Sequence, residues 1–95
     1  MEDIRELVMK LMFVVIRDSD ADSVVQALVE NHYRVTRIAS TGGFLRHGNV
    51  TLMTGIEENM VQVVIDLLHQ TCCPPEDSQH RATIFVVDMP YFEQI

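Results

Sequence analysis

An α+β domain of order β-α-β-β-α-β is the fold that the sequence predicts, on three observations. Four runs rich in β-branched and apolar residues alternate with two segments of helical apolar spacing. At 95 residues with 47% apolar side chains, the chain has room for one domain with a modest core, and its composition is not that of a disordered segment. No repeat, low-complexity tract or linker divides it.

Each element has its own signal. Met1–Val8 is acidic and amphipathic, and reads as an N-terminal extension, a helical lead-in to a domain spanning 9–95. Met9–Ile16 is a compact run rich in Val, Ile and Phe, bounded by Arg17-Asp18-Ser19-Asp20, and reads as a buried strand. Asp18, Ser19 or Asp20 can cap the next helix. There Val24, Val25, Leu28 and Val29 recur at helical spacing for roughly three turns, to near Asn31. Tyr33–Ser40, with Val35 and Ile38, is the second strand, and Val50–Ile56, with Gly55 at its end, is the third. Glu57 and Glu58 suit a helix N-terminus, where the macrodipole favours negative charge. Met60, Val63, Val64, Leu67 and Leu68 then form an amphipathic stripe. Pro74-Pro75 stops that helix, Pro74–His80 is a polar loop, and Ala82–Met89 is a fourth β-rich run before the short tail Pro90–Ile95. The order is the split βαβ, or ferredoxin-like, arrangement, with a four-stranded antiparallel sheet. Two helices cover only one face of such a sheet. The Val, Ile, Met and Phe on its strands favour a partner on the other face, and hence an oligomer.

Charge is distributed unevenly. The chain carries a formal charge of -7, yet no Asp or Glu occurs from Asn31 to Ile56; Arg34, Arg37 and Arg46 give that window +3 and leave -10 for the rest. A local positive island is what an anion site needs in a negative protein. Within it stands Ser40-Thr41-Gly42-Gly43-Phe44-Leu45-Arg46-His47-Gly48-Asn49. Paired glycines let backbone N–H groups approach phosphate oxygens, and Phe44 and Leu45 offer an apolar or stacking surface. Phosphate donors beside an aromatic point to a nucleotide; the competing reading is a tight hairpin whose glycines serve the turn alone.

Other function classes find little support. The longest apolar runs, Leu11–Ile16 and Met60–Val64, are far short of a membrane span. Glu2 and Asp3 stand where a secretion leader would be basic, so a cytoplasmic location is expected. The acidic excess argues against general nucleic-acid binding. Cys72 and Cys73 are adjacent and do not suit a disulfide. With His69 and His80 they make a poor zinc set, because only His69–Cys72 has ligand-pair spacing. No nucleophile signature, Walker-type phosphate loop or Gly-x-Gly-x-x-Gly is present, so no catalysis, metal or cofactor is expected.

The residues also resemble a known family. Met9-Lys10 through Asp20, then Asn31-His32-Tyr33-Arg34-Val35-Thr36-Arg37-Ile38-Ala39-Ser40-Thr41-Gly42-Gly43-Phe44-Leu45-Arg46, are similar to the P-II-like cyclic di-AMP receptor proteins. His69-Gln70-Thr71-Cys72 and Val87–Gln94, with Phe92, also look similar. The resemblance implies a homotrimer of ferredoxin-like subunits that binds cyclic di-AMP in clefts between neighbours and catalyses nothing. By position, Arg34 and Thr36 would bond phosphate and ribose oxygens. Gly43, Phe44 and Leu45 would line a base pocket, Asn49 would read a base edge, Gly55 would offer close backbone approach and Gln94 would close the site. The chemistry suits these roles: Arg presents a forked donor set to phosphate, and a carboxamide pairs with adenine. Family members carry a long Gly- and Pro-containing loop before the last strand, where this chain has only Cys73–Arg81. That difference keeps two alternatives open, a P-II-like sensor of another adenine nucleotide or small anion, and a ligand-free trimeric adaptor.

Plainer roles compete at single positions. Residues 34 and 36 share one strand face and 37 lies on the other, so at most one set meets a given ligand. Phe44 could plug a subunit interface, and Thr36 and Thr51 could serve only as β-formers. Met53, Met60 and Met89 read as core filler rather than binding surface. His47 reads as a solvated loop imidazole.

Overall fold

The computed structural model describes residues 8–38, 48–72, 82–90, 93 and 95. The expectations for the N-terminal lead-in, the glycine loop 39–47, the loop 73–81 and tail residues 91, 92 and 94 fall outside them. In chain order the elements are β1 (Met9–Arg17), α1 (Asp18–Glu30), β2 (Thr36–Ile38), β3 (Asn49–Glu57), a 3₁₀ turn (Glu58–Met60), α2 (Val61–Thr71) and β4 (Ala82–Asp88). The four strands make one sheet in the order β2-β3-β1-β4. Every pairing is antiparallel, with Phe13 opposite both Met53 and Phe85, and Thr36 opposite Met53. This is the predicted βαββαβ fold.

Strand alternation decides the core. Met12, Val14 and Ile16 of β1 point to the helices and are fully enclosed together with Leu52 and Ile56 of β3. Val24 and Leu28 of α1 and Val64 and Leu68 of α2 close the layer from above. The α2 stripe is rotated from the predicted one. Val64 and Leu68 are buried and Leu67 packs beside the core as predicted, but Val63 is exposed and Val61 and Ile65 pack there instead. Both sides of this helix are apolar, and only docking on the sheet chooses between them. Val29 of α1 is likewise exposed.

The start of α1 also differs from expectation. Arg17 holds the cap position with an extended backbone and makes no side-chain cap, and Asp18 is already helical. The Asp20 carboxylate, almost wholly buried, instead accepts two hydrogen bonds from the Arg17 guanidinium, at 3.1 and 2.9 Å. The Asp18 N–H donates to the Gly48 carbonyl, 2.7 Å away, which ties the helix to the β3 entry. Strand β2 is shorter than Tyr33–Ser40. Tyr33 through Val35 are still leaving the helix, with the Tyr33 N–H bonded to the Leu28 carbonyl at 2.9 Å.

At the other end of the sheet Lys10 pins three elements. Its ammonium lies 2.5 Å from an Asp88 oxygen on β4 and 3.6 Å from Glu58 in the 3₁₀ turn. The hydrogen bond to Asp88 holds the lysine above its ordinary value, and the same contact holds the Asp88 carboxyl below its own.

Candidate functional site

A cleft of about 520 Å³ opens where α1 hands the chain to β2. Its walls are His32, Tyr33, Arg34 and Thr36 on one side, Met53, Thr54 and Gly55 of β3 beneath, and Met9, Leu11 and Met89 opposite. Three of the sequence-predicted residues therefore converge: Arg34, Thr36 and Gly55. The β2–β3 register explains how. Thr36 faces Met53, and the same register continued back two residues sets Arg34 across from Gly55. Position 55 has no side chain to fill that space. A Cβ there would come 3.1 Å from the Met89 terminal methyl.

Arg34 is exposed but its backbone is held. The buried Thr54 hydroxyl donates to the Arg34 carbonyl at 2.5 Å, which fixes where the guanidinium stem starts. Arg37 faces the other way. Its guanidinium reaches Asp22 at 3.0 Å and Asp18 at 3.6 Å on α1, so its charge is neutralised on the helix side of the sheet. Of the described arginines in that window, Arg34 is the one that lines the cleft. No described residue lining the cleft is acidic.

The remaining predicted residues divide into two groups. Asn49 begins β3, opposite Arg17, six residues from Gly55 and so about 20 Å along the strand. It does not line this cleft. Gly43, Phe44, Leu45 and Gln94 lie outside the described residues. The sequence reading missed His32, Tyr33, Thr54 and the methionines. Met53 and Met89, expected as core filler, are half-buried cleft walls together with Met9. A hint was available for the methionines: Met53 stands two residues before Gly55 and so on the same sheet face. Among the described residues, no three His, Cys, Asp or Glu side chains gather as a metal set, and Cys72 is buried in the core.

One solved structure shares this architecture closely. It is a crystal structure of a functionally unknown protein from Pediococcus pentosaceus ATCC 25745, 28% identical, matching 95% of this chain and all of that one with a TM-score of 0.79. Residues 9–81, which hold β1 through α2 and every described cleft residue except Met89, match the sequence profile of the cyclic-di-AMP receptor. That stretch is most of the chain, and it contains the exposed arginine, the threonine on its strand face and the glycine across from it. The chain belongs to the cyclic di-AMP receptor family.

Proposed function

We propose that the protein senses cyclic di-AMP, holding it in clefts between the subunits of a homotrimer, and carries out no chemistry on it. The observation that supports this most is the cleft itself: Arg34, Thr36 and Gly55 meet in an opening with no described carboxylate, inside the family-matched region. Arg34 offers a forked donor set to a phosphodiester, the Thr36 hydroxyl bonds a ribose or phosphate oxygen, and Gly55 lets the ligand lie against β3. Gly43, Phe44 and Leu45 would enclose a base, and Gln94 would cover it.

A second chain is needed for two reasons. Asn49 stands about 20 Å along β3 from Gly55, so a base held by Asn49 and a phosphate held by Arg34 belong to different copies or to a ligand that bridges them. The sheet face away from the helices also carries Phe85, Val87 and Ile38, all well exposed, beside half-buried Leu11, Phe13 and Val15. Closed symmetric packing is the ordinary way to bury such a face.

Cyclic di-AMP in large excess should raise the melting temperature, because a ligand that binds only the folded state stabilises it by about 2.7 kcal/mol at a hundred times its Kd. Calorimetry against cyclic di-AMP, other adenine nucleotides and inorganic anions separates the readings. Heat with a different nucleotide replaces the ligand, and heat with none leaves an adaptor. Sedimentation at micromolar concentration should show three subunits; a monomer would sink the assembly.

A further inference from the structure

We infer that Met89 holds a seat on Gly55 that the ligand must take, which makes it an affinity-determining residue of the cleft. The inference rests on the ligand reading above.

The sheet fixes the geometry. Strand β1 lies between β3 and β4, so residues of those two strands stand two strand spacings apart, about 9–10 Å. Met9 is held beside Met89, whose N–H donates to the Met9 carbonyl at 3.3 Å. Leu11 faces Gly55. Met9, Leu11, Gly55 and Met89 share the sheet face without helices, because the alternate residues Met12, Thr54 and Ile56 are buried on the helix side. A Cβ at position 55 would nonetheless come 3.1 Å from the Met89 terminal methyl. The Met89 side chain therefore crosses the width of β1 and ends on Gly55.

Its chemistry lets it rest there and leave. Methionine is unbranched, with three rotatable bonds, and its thioether adapts to surfaces of many shapes. Here it is half-buried among Met9, Leu11 and Met53 on the cleft wall. The bond to Met9 anchors its backbone one residue beyond the Lys10–Asp88 contact. Pro90 favours an extended Met89, so the side chain keeps its strand face while its end is free to turn.

That end stands where the ligand is needed. Arg34 lies across from Gly55, the one cleft residue whose missing side chain opens the β3 backbone to a ligand. A methyl group fills the opening. Binding has to move it off Gly55, and the apolar contact given up there is subtracted from affinity. The competing arrangement keeps the methyl in place as floor, with the ligand resting on it and gaining from it. The two differ in sign when Met89 is shortened.

The test labels the methionine methyl groups with carbon-13, and Met89→Leu assigns the Met89 signal. Free protein should show a nuclear Overhauser cross-peak from the Met89 methyl to the Gly55 α-protons, and saturating cyclic di-AMP should abolish it. In calorimetry Met89→Ala should bind cyclic di-AMP about three- to tenfold tighter, since the buried methyl no longer has to be displaced. Met89→Leu keeps the apolar bulk but is one bond shorter and branched, so it should also bind tighter. A cross-peak that survives saturation, or that is missing in the free protein, overturns the inference and leaves the ligand reading intact. Equal or weaker binding by either variant does the same. No heat with cyclic di-AMP from the wild type or the variants overturns both.

Discussion

Two arginines three residues apart show how strand alternation assigns roles. Arg34 opens onto the cleft, while Arg37 reaches across to Asp18 and Asp22 on α1. Hydrogen bonds to charged groups contribute about 1.5–3 kcal/mol, so Arg34→Ala should weaken cyclic di-AMP binding by roughly ten- to a hundredfold. Arg37→Ala should leave affinity nearly unchanged and lower stability by less than about 1 kcal/mol, since both its ion pairs are exposed. Equal affinity losses in calorimetry would mean that general charge holds the ligand. Gly55 is tested by adding bulk. Met89 can swing its terminal methyl aside, so Gly55→Leu should fold normally yet cut affinity by more than about tenfold, because the side chain occupies the cleft. Unchanged affinity would take β3 out of the site.

Among the elements, β3 sets the site and β1 holds the frame. Thr54 is buried on the helix side of β3 and bonds the Arg34 carbonyl, so one residue links core and cleft. Thr54→Val keeps the shape and removes that bond. Chemical denaturation should show a loss of about 0.5–1.5 kcal/mol, and affinity should fall as the arginine loses its anchor. If stability drops and affinity does not, the bond is structural alone. The Lys10–Asp88 contact joins β1 to β4 and responds to pH. The depressed Asp88 carboxyl contributes stability that is present above its unfolded pKa and lost as pH falls through its folded value. The raised Lys10 ammonium contributes stability below its unfolded pKa that is lost as pH rises through the folded one. Asp88→Asn should therefore lower the melting temperature slightly near neutral pH, and the difference should vanish near pH 2 or in high salt. Both groups are solvent-facing, so an undiminished effect under either condition would mean that Asp88 acts through packing.

For the whole molecule, the decisive surface is the sheet face without helices. Phe85 and Val87 stand on edge strand β4 and Ile38 on edge strand β2, so apolar area reaches from one edge of the sheet to the other. Phe85→Glu sets a charge on that face, on its β4 edge. It should shift sedimentation from trimer toward monomer and weaken ligand binding with it, because the proposed clefts form between copies. A variant that stays assembled would move the interface elsewhere, and a monomer that binds with full affinity would show that one chain suffices.

Apolar runs and helical spacing determined the element order, and with it the fold. The apolar, β-branched runs at Met9–Ile16 and Val50–Ile56 and helical spacing at Val24, Leu28, Val64 and Leu68 are local properties of the chain, and the fold realised them within a residue or two. The opposite facing of residues 34 and 37 was legible for the same reason. Tertiary structure decided what local pattern leaves degenerate. An α2 helix apolar on two sides packed Val61 and Ile65 against the core and left Val63 exposed, because docking on the sheet and not spacing fixes its rotation. Asp20 joined Arg17 instead of capping the helix, since burial demands a partner for a carboxylate. Met53 and Met89 became cleft walls, and His32 and Tyr33 joined them, because antiparallel pairing brings the end of β3, the residues after α1 and the segment after β4 to one corner. No single stretch of sequence contains that corner, and only the folded sheet assembles it.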